Sequence, residues 1–205
     1  MRNYCNYDIE ERLQEKNYEY ICGIDEVGRG AIFGPVVAGA VILDPCKLNY
    51  QINDSKKLDH KKRLALSEYI YENALAYSIG WCWNDEIDDC NILEATKRAI
   101  KMAVKGLQIS PGYILLDGMR PDFLGVEGEG IIKGDNKSLS IAAASIIAKV
   151  FRDQLLISFS RFFPEYRFQK NKGYATREHI HAVSLKGMTD FHRKSFDISG
   201  AWKEL

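Results

Sequence analysis

Apolar positions in this chain fall into short runs broken by glycine or charge, and their spacing predicts alternating strands and helices. Tyr20 to Asp25 reads as a strand. Pro35 to Leu43 (PVVAGAVIL) reads as another, and its small and β-branched residues suit a strand covered on both faces. The stretch between them carries Gly28, Gly30 and Gly34 and is too short for a helix, so the two strands are expected to pair antiparallel. Residues 8–16 fit a short polar helix. Asp59 can cap a helix running to about Asn73, with Leu64, Leu66, Ile70 and Leu75 near helical spacing. Ala76 to Trp83 then reads as a third strand, Ile92 to Leu107 as an amphipathic helix and Tyr113 to Asp117 as a short buried strand. A hairpin is expected through Gly125, Gly128 and Gly130. A long helix should follow over about Lys137 to Phe162, whose SIAAASIIAKV segment is small and apolar enough to lie close on a sheet, and then a shorter one over Thr176 to Val183. The order implies an α/β fold, a mixed sheet with helices on its faces. One domain is expected over 1–205, with about 164–205 as its basic, helical C-terminal extension.

Composition narrows the class. With 46% hydrophobic residues in 205, the chain can bury a real core and resembles no disordered segment. Basic and acidic residues balance at 28 each, so total charge selects no polyanionic partner. Their distribution does more. Residues 133–186 hold ten Lys/Arg against four Asp/Glu, whereas residues 1–132 hold fifteen against twenty-one. A basic surface beside an acidic cluster fits phosphate contact next to a metal site; a pair of solvated helix faces is the competing reading. Five scattered cysteines with no Cys-x-x-Cys argue against a disulfide framework or zinc site and for a reducing cytoplasm. The N-terminus is too polar for a signal peptide, and the apolar run Ala31 to Leu43 is short of a membrane span, so no membrane association is expected.

Asp25 and Glu26 end an apolar strand and precede a glycine turn, where adjacent acids should repel unless a cation offsets them. Asp117 ends a second apolar strand, and Asp135 lies in KGDNKS at the approach to the long helix. If the two Asp-bearing strands are neighbours, four carboxylates converge at one sheet edge. Oxygen ligands without nearby His or Cys select Mg²⁺ or Mn²⁺ rather than zinc, and a pair of such ions can hydrolyse a phosphodiester. The alternative is that these acids cap helices and face solvent. His179, His181 and His192 match no zinc spacing and stay outside the catalytic set, with His192 expected to anchor the C-terminal segment. The apolar spacing of QLLISFSRFF (154–163) is expected to serve the core rather than to bind a sliding clamp.

The run GIDEVGRGAIFGPVVAGAVIL (23–43) closely resembles the opening signature of the ribonuclease HII family. The resemblance continues, in order, through NDSKKL (53–58), IDDCNILEAT (87–96), LLDG (115–118), KGDNKSLSIAAASIIAKVFRD (133–153), NKGYAT (171–176) and HRKSF (192–196). It implies a ribonuclease H-like fold, hydrolysis of RNA in RNA/DNA hybrids, and nicking of DNA 5′ to an embedded ribonucleotide, leaving 5′-phosphate and 3′-hydroxyl ends. Asp25, Glu26, Asp117 and Asp135 match the family's metal-binding acids; one ion would lie among Asp25, Asp117 and Asp135 and the other between Asp25 and Glu26. Gly28, Arg29 and Gly30 match the turn that reads the 2′-hydroxyl, and Tyr174 the tyrosine that stacks on the sugar at the RNA–DNA junction.

The residue types agree with those roles. Glycines expose main-chain N–H and C=O groups to a 2′-hydroxyl, and an aromatic among Lys170, Lys172 and Arg177 can stack while the cations meet phosphates. Ser55, Lys56 and Asn91 are further candidate contacts to phosphate or sugar; Lys137 and Ser138 can equally serve the start of a helix. Val27 and Ile32–Phe33–Gly34 lean toward the sister ribonuclease HIII family. Arg29 and the short segment of about twenty residues ahead of the motif favour type II. Asn171 stands where a histidine is common before KGY, which bears on a substrate contact and not on the metal. A monomer is expected. The rival readings are a hybrid nuclease without single-ribonucleotide activity and a catalytically silent hybrid-binding module.

Overall fold

The computed structural model describes residues 5–53 and 58–198; Ser55 and Lys56 lie outside the described residues. Five strands form one sheet: β1 (Ile21–Val27), β2 (Val36–Ile42), β3 (Ala76–Cys82), β4 (Tyr113–Asp117) and β5 (Gly128–Ile131), in the order β3-β2-β1-β4-β5. β1 runs antiparallel to β2 and parallel to β4, so the sheet is mixed, as the element order implied. The fold class expected from sequence, α/β with helices on both faces, is the one observed.

The helices are α1 (Asp8–Gln14), α2 (His60–Asn73), α3 (Asn84–Lys105), α4 (Leu139–Phe159), α5 (Phe168–Asn171) and α6 (Arg177–Lys186). α3 covers β2 and β3 on one face; α4 lies on β1 and β2 on the other, with α2 against α4. Every residue of β2 is buried, as a strand sandwiched between two helical layers requires. α4 sits unusually close because the strands beneath it carry glycine: a Cβ at Gly23 would collide with the main chain of Ser140, and one at Gly39 with the carbonyl of Ala144. The small residues Ala142, Ala143 and Ala144 complete that contact.

Two boundaries differ from the sequence expectation. Gly125, Gly128 and Gly130 do not make a hairpin. β5 pairs parallel to β4, with Ile114 opposite Gly128 and Asp117 opposite Ile131. The segment between them forms a 3-10 turn at Asp122–Leu124 and a left-handed Gly125, which carries the chain back to the start of β4. The second correction concerns α3, which begins at Asn84 rather than Ile92. Its first turns read NDEIDDCN, a composition of weak helix formers that hides the helix from periodicity. The Glu86 carboxylate accepts the Trp83 N–H at 3.0 Å and secures that start.

Asp59 does cap α2, accepting the Lys62 N–H at 2.8 Å. Ser138 caps α4, accepting the Ile141 N–H at 3.2 Å, and donates in turn to Glu10 at 2.6 Å. Beyond α4 a separate aromatic cluster (Phe33, Tyr166, Phe168 with Leu156 and Val183) seats the C-terminal segments against the turn that follows β1.

Candidate active site

Asp25 and Glu26 do not end β1; they lie within it, opposite Gly39 and Ala38 of β2. The parallel register of β1 and β4 pairs Ile24 with Leu116, so the next step sets Asp25 beside Asp117. Asp25 is buried, and its Oδ1 accepts the Glu26 N–H at 2.7 Å. Its carboxyl is pushed well above the ordinary carboxylate range, first by burial, then by the charges of Glu26 and Asp117, against a hydrogen bond from Ser145 of α4. Glu26 is pushed up by burial and by Asp117, partly offset by Arg29, whose Nη1 lies 3.1 Å from Oε1. Glu26 Oε2 is buried and has no hydrogen-bond partner.

Asp117 Oδ1 accepts the Gly134 N–H at 2.6 Å, which pulls the following 3-10 turn, Gly134–Asn136, against the end of β4. Asp135 lies buried in that turn, and its Oδ1 accepts from Asn136 Nδ2 at 2.8 Å. Three of the four acids therefore share one electrostatic neighbourhood, and the fourth sits on a turn hydrogen-bonded to Asp117. One oxygen of each acid is engaged by a protein donor, and Glu26 Oε2 is not. Among the described residues, no three His, Cys, Asp or Glu side chains are gathered closely enough to hold a metal ion as they stand.

The turn after β1 carries Gly28 (φ 87°), where a Cβ would run into the Arg152 guanidinium. Gly30 has open space where a Cβ would be, and Arg29 is exposed. Tyr174 forms an isolated antiparallel bridge with Ala31, so two motifs far apart in sequence meet beside this turn. Its ring has the Arg152 guanidinium carbon 5.5 Å and Lys149 Nζ 6.0 Å from its centroid. Asn171 is buried, donating to the Tyr166 carbonyl at 2.6 Å and accepting the Gly173 N–H at 2.8 Å, so it shapes the loop that presents Tyr174. Asn91 is exposed, in the first half of α3. It breaks the helix (φ 70°, ψ 163°), and its Oδ1 caps the second half through Leu93 N and Glu94 N at 3.0 and 3.2 Å.

Sequence reading passed over Ser145, Arg152 and Arg193. Arg152 is fully buried and donates to the carbonyls of Pro35, Lys172 and Phe33 at 2.8–3.1 Å; Arg193, also buried, donates to those of Gly34 and Arg29. An arginine directly after the largely apolar stretch IIAKVF of α4 was the available signal for Arg152. Ser145 had none, since a serine among alanines is compatible with any close helix contact.

The sheet order and the acids at neighbouring strands define a protein of the ribonuclease H-like α/β class. A solved ribonuclease H2 from Pyrococcus horikoshii OT3 is similar over 90% of this chain and 97% of its own, with a TM-score of 0.69 and 25% identity. Bst-RNase HIII in complex with Mn²⁺ shares the fold at a TM-score of 0.63 and 20% identity, over 86% of this chain and 66% of its own. Within that class the ribonuclease HII family model matches residues 22–199. The ribonuclease HII of Caldicellulosiruptor bescii is 45% identical over 93% of this chain and 92% of the relative. The chain belongs to the ribonuclease HII family and is a metal-dependent endoribonuclease. Among the described residues no helix is long and apolar enough to cross a membrane.

Proposed function

We propose that this enzyme hydrolyses the RNA strand of RNA/DNA hybrids and nicks DNA 5′ to an embedded ribonucleotide, leaving 5′-phosphate and 3′-hydroxyl ends. It would act as a monomer in the cytoplasm. The observation that carries the reading is the crowded acid pair: Asp25 buried and Glu26 largely so beside Asp117, their carboxyls raised first by burial and then by neighbouring acid charge, with Glu26 Oε2 left without a donor. A buried carboxylate oxygen with no partner is costly, and a hard divalent cation would offset it. The donor set is all oxygen, which fits Mn²⁺ or Mg²⁺ held by Asp25, Glu26, Asp117 and Asp135. Two such ions, once bound, would activate a water and stabilise the departing 3′-oxygen.

The remaining residues act on the substrate. Ser145 and the Glu26 N–H hold Asp25 in place, and Gly134 N–H holds Asp117. Arg29, paired with Glu26, would be free to meet a phosphate or the 2′-hydroxyl if a cation were held by that carboxylate. Gly28 and Gly30 offer main-chain groups to the 2′-hydroxyl, and Tyr174 offers a ring face to the junction sugar. Asn91, Ser55 and Lys56 complete the proposed phosphate and sugar contacts.

The test uses two labelled duplexes, one a continuous hybrid and one DNA with a single ribonucleotide, each with Mg²⁺ and with Mn²⁺. Cleavage of both is expected, and Asp117→Asn should lower it about a hundredfold or more without changing circular dichroism. A hybrid-only activity overturns the single-ribonucleotide claim. Metal-independent binding without cleavage overturns catalysis.

A further inference from the structure

His179 and His192 are fully buried, and their Nε2 atoms face each other at 3.1 Å. The outer nitrogens face the main chain. His179 Nδ1 lies 2.9 Å from the Tyr174 carbonyl oxygen, and His192 Nδ1 accepts the Thr189 N–H at 2.9 Å, with the Thr189 hydroxyl 3.0 Å away. One proton arrangement satisfies all three contacts. A carbonyl only accepts, so His179 must carry its proton on Nδ1; its bare Nε2 then accepts from His192 Nε2–H, leaving His192 Nδ1 bare for Thr189. Both rings are neutral in that chain; a further proton on His179 Nε2 would face the His192 Nε2–H, and one on His192 Nδ1 would cost the bond from Thr189 N–H. Phe33, Tyr166 and Phe168 surround the rings, which keeps them dry.

The two ends of this chain of bonds belong to the two segments that grip the turn after β1. On one side Ile32 N donates to the Gly173 carbonyl, and Ala31 bridges Tyr174. On the other, Gly34 N donates to Phe191 O, Arg193 N to Ile32 O, and Arg193 Nη1 to Arg29 O. Asn84, at the start of α3, fixes the second segment through Asp190 O at 2.8 Å. The turn is thus clasped from two sides, and the histidine pair closes the clasp behind it.

We propose that His179 and His192 are positioning residues: a relay of fixed tautomers that sets Tyr174 in register with the Gly28–Gly30 turn, so that sugar stacking and 2′-hydroxyl reading act on the same nucleotide. The proposal rests on the reading of Tyr174 and the turn as substrate contacts. It goes further by assigning the geometry between them to a buried pair that touches no substrate.

The first test reads the relay directly, by proton–nitrogen correlations of isotopically labelled histidine rings in the full chain. His179 protonated on Nδ1 and His192 on Nε2 is expected; either ring in the opposite or an averaged tautomer overturns the relay. The second compares His179→Ala with His179→Asn, whose amide N–H can replace Nδ1–H toward Tyr174 O. His179→Ala should lose about tenfold in kcat/KM on the single-ribonucleotide duplex and less on the continuous hybrid, where neighbouring ribonucleotides offer alternative registers. His179→Asn should recover most of the loss. A folded His179→Ala with parental rates on both duplexes, or an Asn variant as impaired as Ala, overturns the positioning role. If His179→Ala does not fold, the Asn variant and the ring tautomers decide. A parent that cleaves neither duplex refutes the proposed function, while the ring tautomers still decide the relay.

Discussion

At the scale of single residues, charge is placed where the chain needs rigid main-chain geometry. Arg152 reaches three carbonyls that no strand or helix satisfies, and its planar fork of donors can do so at once. Lysine has one nitrogen to offer. Arg152→Lys should therefore lower stability by about 2–4 kcal/mol, read as a shift in the urea midpoint with an unchanged slope. An unshifted midpoint would show that water replaces the fork. Arg29 differs because it is exposed and its partner is Glu26, so its pairing contributes little to stability. The two arginines were distinguishable in sequence only by neighbourhood, glycines around one and a largely apolar helical stretch ahead of the other.

Elements carry two kinds of constraint, one legible in sequence and one hidden. Alternation and helical spacing located all but β5 of the principal strands and helices, because burial of one face imposes a period. What periodicity missed was α3's first half and the parallel return of β5, where polar starts and glycine turns carry no period. Close approach of α4 to β1 and β2 predicts that Gly39→Ala will destabilise by about 1–3 kcal/mol, since the added methyl meets the Ala144 carbonyl rather than a yielding side chain. A thermal melt checks it, with loss of less than a degree refuting the contact. Asn91 offers a separate test. Glycine is the residue its dihedrals favour, so Asn91→Gly should keep α3 within a few tenths of a kcal/mol. Retained cleavage in that variant would remove Asn91 from the proposed substrate contacts; loss with intact helicity would keep it there.

Over the whole molecule, acid sensitivity should trace to the histidine pair. Burial, then the neighbouring His179, pushes His192 down to about 4 from its ordinary 6.5, and burial lowers His179 as well. The folded rings therefore stay neutral while the unfolded chain takes up protons below 6.5, so stability is full above that pH and falls as pH drops toward about 4. A urea midpoint flat across the upper part of that window would contradict neutral burial. Part of the molecule is legible in the sequence: the motif blocks name the family, and Asp25, Glu26, Asp117 and Asp135 stand out as acids beside apolar runs. Their partners do not, because Ser145 beside Asp25, Asn171 beneath Tyr174 and the His179–His192 pair are brought together by distant segments, and a residue type alone does not name its neighbour. By itself the sequence determined which stretches are strands or helices and which residues are chemically capable, since period and side-chain type are local properties. Only the tertiary structure decided the order of the strands, the meeting of Tyr174 with the Gly28–Gly30 turn, and which carboxylates press on one another. Those depend on contacts between segments far apart in the chain, whose pairing is settled by the burial of the whole core.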